Sequence, residues 1–182
     1  EAVSGSREME KWAEFGETNG ALDTLIGEDP RNYQRLIDFR HRLPENINSF
    51  FRQLGIVKVA MDISVPDRHF SEQYSFYRRI MKEEPIHSII FGHIGENHLH
   101  FNLFPRDQKE KERAMEIYGE CVRKALSLGG TVAAEHGIGK IKHKWLQAMY
   151  GKEGLMEMAR IKKIFDPHSI LGRGNIIPEE FL

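Results

Sequence analysis

The chain has 182 residues, 26 lysines and arginines against 27 aspartates and glutamates, a net charge of −1 and 40% hydrophobic residues, enough for a packed core in one or two soluble domains. The balanced charge excludes a general nucleic-acid or anionic-membrane binder, and the single cysteine, Cys121, excludes an internal disulfide framework or a cysteine-built zinc site and fits a reducing, cytoplasmic setting. No apolar run reaches the roughly 18 residues of a membrane span, no signal-peptide core is visible, and a start at Glu1 without methionine is expected of a piece of a longer protein.

In chain order, residues 8–26 mix charge with Trp12, Phe15, Leu22, Leu25 and Ile26 and read as a helix, punctuated by Gly27 to Pro30. A helical pattern resumes at Arg31 with Tyr33, Leu36, Ile37 and Phe39, and Pro44 must either kink it or open a second helix that ends near Gly55. Val57, Val59, Met61, Ile63 and Val65 alternate with Lys58, Ala60, Asp62 and Ser64, which predicts a half-buried strand with Lys58 and Asp62 on its polar face. Residues 67–83 form the next helix. The runs IHSIIFGH and HLHFNLFP then read as a hairpin. Asp107 caps a long helix that carries Cys121 on its apolar stripe and stops at Gly129-Gly130. TVAAE (131–135) reads as a short strand, followed by helices over about 141–150 and 153–165 that Asp166-Pro167 terminates. Strands that return after single helices, plus a hairpin, predict an α+β fold: a ferredoxin-like antiparallel sheet with helices on one face, followed by C-terminal helices.

Four of the nine histidines, His87, His93, His98 and His100, fall in one short stretch. A two-residue hairpin loop at Glu96-Asn97 would set His93 opposite His100, with Cβ atoms about 4.5–5.5 Å apart, close enough for two imidazoles to share a cation or an anion. His98, His100 and Asn102 share a face, because strand side chains repeat every second residue. An isolated histidine is more often an ordinary sheet residue; two that coincide across a hairpin, beside a third and an asparagine, weaken that reading. Glu135 could complete a His₂Glu ligand set with an open position, leaving His136 free to move protons. Gly137-Ile138-Gly139-Lys140 lacks the spacing of a phosphate-binding P-loop, so its glycines are read as letting backbone approach a flat ligand or a neighbouring element. Lys58, Arg40 and Arg42 are candidate carboxylate binders, although a single arginine is more often a surface ion pair.

GHIGENHLHFN (92–102), AAEHGIGK (133–140) and FDPHSILGRGNI (165–176), with DISVP (62–66) and FRHRLPE (39–45), resemble the motifs of the FAD-linked oxidase C-terminal, or cap, domain in the vanillyl-alcohol-oxidase superfamily. The branch is that of glycolate oxidase, D-lactate dehydrogenase and D-2-hydroxyglutarate dehydrogenase. The resemblance implies a cap core over about 31–150, a segment over about 151–182 that returns to the flavin, and an FAD-binding domain upstream of Glu1. It implies that His93, His100 and Glu135 bind a divalent metal, zinc in relatives, and that His136 removes the hydroxyl proton of a small 2-hydroxy acid while hydride passes to FAD. Arg40, Asn102 and Lys58 would bind substrate, and Gly137 and Asn175 would contact the flavin. Its implied partners are the protein's own FAD-binding domain, an electron-acceptor protein or quinone, which would give a peripheral membrane association, and a second copy in a homodimer. In this chain His98 replaces the family's asparagine and becomes a competing ligand, and LNPGK appears as Leu171 to Asn175.

Two other classes fit the bare residues. A metallohydrolase would use the same His₂Glu set around a water, with His136 as acid and base. A non-catalytic ferredoxin-like binding module would simply pack its histidines.

Overall fold

The computed structural model describes residues 6–182, which form two compact units, one ending at residue 54 and the other covering 55–182. The first unit holds α1 (Ser6–Thr18) and α2 (Pro30–Gln53). The predicted helix over 8–26 stops at Thr18, and residues 19–28 are irregular. Asp29 caps α2 by accepting hydrogen bonds from the Arg31 and Asn32 main-chain N–H groups. Pro44 lies inside this one continuous helix.

The second unit follows a β-α-β-β-α-β order: β1 (Val59–Ala60) and β2 (Ile63–Ser64), α3 (Phe70–Glu83), β3 (His87–His93), β4 (His98–Phe104), α4 (Gln108–Ser127) and a single bridge at Thr131. β4 is central. It pairs antiparallel with β3 along one edge and with β1 and β2, in one continuous register, along the other. Thr131 bridges to Ser64 beyond β2, so the sheet is open and has the ferredoxin-like strand order. The predicted strand 57–65 is therefore two short pieces interrupted at Met61-Asp62, where the Ala134 N–H, from outside the sheet, donates to the Asp62 carbonyl.

Alternation along these strands sorts the side chains. Val59, Met61, Ile63, Leu99, Phe101 and Leu103 pack with Tyr77 and Ile80 of α3 and Ala114, Ile117, Cys121 and Val122 of α4 to make the core. Tyr77 lies 4.8 Å from Phe101 between ring centroids. The opposite face carries Asp62, His98, His100 and Asn102, all of them buried as well. Polar residues buried on that face need partners, and the chain after the Thr131 bridge supplies them for Asp62 and His100. That chain is not the strand predicted for 131–135: only Thr131 pairs with the sheet, because the N–H groups of Ala134, Glu135 and His136 are used by Asp62 instead. α5 (His143–Phe165) breaks at Gly151, whose φ of 70° is left-handed, so it forms the two helical stretches expected from sequence. Residues 166–182 are irregular apart from a 3₁₀ turn at Glu179–Phe181.

Candidate metal centre

The hairpin between β3 and β4 differs from the expected one. A 3₁₀ turn over Ile94–Glu96, followed by Asn97 in the left-handed region (φ 50°), makes a four-residue loop, so His93 pairs with His98 and Phe91 with His100. The expected His93–His100 pairing is thus displaced by two positions along β4. A displacement of two preserves the face of every side chain, so His93, His98 and His100 remain on one side of the sheet. The loop is held by Ser64 Oγ donating to the Glu96 carbonyl at 3.1 Å and by Asn97 Nδ2 donating to Asp67.

Glu135 reaches this histidine cluster from the loop beyond Thr131. Its Oε1 lies 3.0 Å from His100 Nε2, 3.8 Å from His93 Nε2, 3.9 Å from His98 Nδ1 and 3.6 Å from His136 Nε2. One donor atom each from His93, His98, His100 and Glu135 falls within a 4.8 Å cluster. Zinc–nitrogen and zinc–oxygen bonds of about 2.0–2.1 Å put tetrahedral donors roughly 3.3 Å apart, so these separations suit a divalent cation after small side-chain adjustments. Burial holds the His100 imidazole below its usual pKa range, and the neighbouring His98 and His136 rings push it the same way. A ring kept neutral keeps its lone pair for a cation.

The loop that presents Glu135 and His136 is anchored by Asp62, whose role the sequence reading did not single out. The Asp62 carboxylate is buried and accepts from Glu135 N at 3.3 Å, His136 N at 2.9 Å and Lys142 Nζ at 3.0 Å. Burial raises the carboxyl, but those donors outweigh it and hold its pKa at about 2. The cation expected beside Asp62 was Lys58; the cation that reaches it is Lys142, and Lys58 is exposed immediately before β1. A charged residue inside an apolar alternation was the available signal.

Among the other expected site residues, Asn102 is buried on the histidine face, opposite Ile89 of β3 and Ala60 of β1. His136 is exposed and stacks on His100, with ring centroids 4.9 Å apart and planes 9° apart. Gly137 and Gly139 take φ of 65° and 56°, turning the loop away after His136. Ile176 N donates to the Gly139 carbonyl at 2.8 Å, which brings Asn175 beside that glycine turn. Arg40 lies exposed on α2, in the first unit.

A model of the family described as FAD linked oxidases, C-terminal domain, matches residues 2–176. The chain is 32% identical over 134 residues to glycolate oxidase subunit GlcD of Bacillus subtilis, covering 72% of this chain and 28% of that protein. It is 27% identical over 170 residues to a D-lactate dehydrogenase of Archaeoglobus fulgidus, covering 93% of this chain and 37% of the relative. To a D-2-hydroxyglutarate dehydrogenase of Stutzerimonas stutzeri it is 25% identical, covering 97% and 39%. It therefore spans less than two-fifths of the length of these curated relatives. The solved structure of 4-ethylphenol oxidase from Gulosibacter chungangensis shares the fold over all of this chain and 39% of its own, with a TM-score of 0.56 and 18% identity. Among the described residues, no helix is long and apolar enough to cross a membrane.

Proposed function

The chain belongs to the FAD-linked oxidase C-terminal domain family, and from that premise we propose that it is the substrate-binding, metal-holding cap of a flavin-dependent dehydrogenase or oxidase of small 2-hydroxy acids. The observation that carries this reading is the single carboxylate oxygen of Glu135, within 3.9 Å of a nitrogen on each of four histidines above a polar sheet face. His93, His100 and Glu135 would hold the divalent cation, zinc by the chemistry of the donor set. When bound, the cation would make a substrate hydroxyl more acidic, and FAD, carried by a separate flavin domain, would serve as hydride acceptor.

The protein's own residues would then do the rest. His136 sits at the open side of the cluster, oriented by its stack on His100, and takes the hydroxyl proton at Nε2. By the family resemblance, Lys58 would provide positive charge for the substrate carboxylate, and Asn102 would provide an amide on the same sheet face as the histidines. Gly137 and Asn175 belong to the turn that would face the flavin, where the lack of a Cβ at Gly137 permits a close approach. The cap core and the segment from about 151 onward would work together with that flavin domain, and electrons would leave through an acceptor protein or quinone.

The test is flavin reduction by D-lactate, glycolate and D-2-hydroxyglutarate in the protein joined to its flavin domain. At least one should reduce the flavin, and His136→Ala should slow that step by about 10²- to 10⁴-fold. Reduction unaffected by the substitution removes the proposed base. Hydrolysis of esters or amides with no flavin chemistry would favour the metallohydrolase reading instead.

A further inference from the structure

We infer that His98 is a fourth protein donor to the same cation, binding through Nδ1, so that the centre is three imidazoles and one carboxylate rather than two and one. This rests on the reading of the cluster as a metal centre and adds to it the residue in which this chain departs from the family motif.

The geometry treats His98 and His93 alike: their nearest nitrogens stand 3.9 and 3.8 Å from Glu135 Oε1. Both separations are too long for a hydrogen bond and would suit a cation shared between the groups. The two rings differ in depth. The His98 side chain is 3% exposed and His93 37%, so His98 forms the floor of the centre and His93 with Glu135 its open rim.

The far side of His98 supports the same assignment. Its buried Nε2 lies 2.8 Å from Asp62 Oδ1, off the line of a good hydrogen bond. Asp62 already accepts from two main-chain N–H groups and Lys142, so it has its partners without His98. His98 Nδ1 is the ring nitrogen on the Glu135 side, 3.9 Å from Oε1 of that carboxylate. A cation lying between that nitrogen and the carboxylate would bind both. The consequence is a nitrogen-rich set that favours zinc and similar ions over magnesium and manganese, while the His93–Glu135 rim still leaves room for a substrate oxygen in a fifth position.

His93 and His100 face Glu135 through Nε2, so His98 is the one ring expected to bind through Nδ1. The experiment is ¹⁵N-histidine NMR of the 182-residue chain loaded with zinc, together with zinc affinity by chelator competition for wild type and His98→Asn. One zinc-bound Nδ1 signal in the wild type, absent from His98→Asn, is expected, with zinc affinity lower by at least about tenfold in the variant. No zinc-bound Nδ1 in the wild type, or one that persists in the variant, overturns the assignment. If the variant does not fold, the wild-type spectrum decides. Zinc bound through Nε2 of two rings only would overturn the role of His98 and leave the His93, His100 and Glu135 centre standing; no zinc bound at all would overturn both.

Discussion

The main-chain N–H of His136 donates to the carboxylate of Asp62 at 2.9 Å, joining residues 74 positions apart. With Glu135 N and Lys142 Nζ on the same carboxylate, one buried side chain on the sheet fixes the loop that carries both the Glu135 ligand and the proposed base.

Asp62→Asn therefore leaves Lys142 without its buried anion and turns an N–H₂ toward main-chain donors. Breaking a buried pair from one side costs about 3–5 kcal/mol, and that loss is expected in urea denaturation of the metal-free chain. Zinc affinity should fall as well, because Glu135 loses its anchor. A stability change under about 1 kcal/mol would mean that Asp62 does not hold the loop.

The same carboxylate sets a pH dependence. Its folded pKa of about 2 lies below the ordinary value of 3.8, so the unfolded chain takes up the proton first as pH falls. Asp62 thus stabilises the fold fully above about pH 4, and that contribution is lost between about pH 4 and pH 2. Denaturation of the metal-free chain across this range should show a steeper loss of stability in wild type than in Asp62→Ala. Parallel curves would contradict it.

Gly92 faces Leu99 across the hairpin, and a Cβ there would come within 2.2 Å of the His98 carbonyl oxygen and 3.0 Å of Leu99 Cα. Gly92→Ala must push β3 away from β4 beside His93. A stability loss of about 1–3 kcal/mol is expected, together with weaker zinc binding. A variant indistinguishable from wild type in both would show that the two strands are not packed this closely.

Cys121 is fully buried on α4, and burial pushes its thiol far above the usual range. A thiol reagent such as dithionitrobenzoate should react only as fast as the chain unfolds, and at the ordinary rate of a free thiol in denaturant. Rapid labelling of the folded chain would contradict the packing of α4 on the sheet.

Much of this fold is written in local pattern. The burial of Val59, Met61, Ile63 and Val65, the apolar stripe and cap of α4, and the paired runs of the hairpin all appear as read, because each depends on side-chain period and end signals within one segment. The hairpin register was not legible: Asn97 adopts a left-handed conformation that turns Ile94–Glu96 into a 3₁₀ turn, and nothing in GHIGENH requires it. TVAAE reads as a strand by composition, but the N–H groups of Ala134 and Glu135 go to Asp62, 72 and 73 positions away, and no local pattern records such a partner. The three histidines stay on one face because the shift of two residues preserves it, whereas Lys142, 80 positions from Asp62, could be found only in three dimensions.

The most direct measurement is zinc binding to the metal-stripped chain by titration calorimetry, for wild type, His100→Ala, Glu135→Ala and His136→Ala. One equivalent should bind to wild type and to His136→Ala with similar affinity, and at least about tenfold more weakly to each of the other two. No binding to wild type, or equal binding to all four proteins, would contradict a metal centre built on His93, His100 and Glu135.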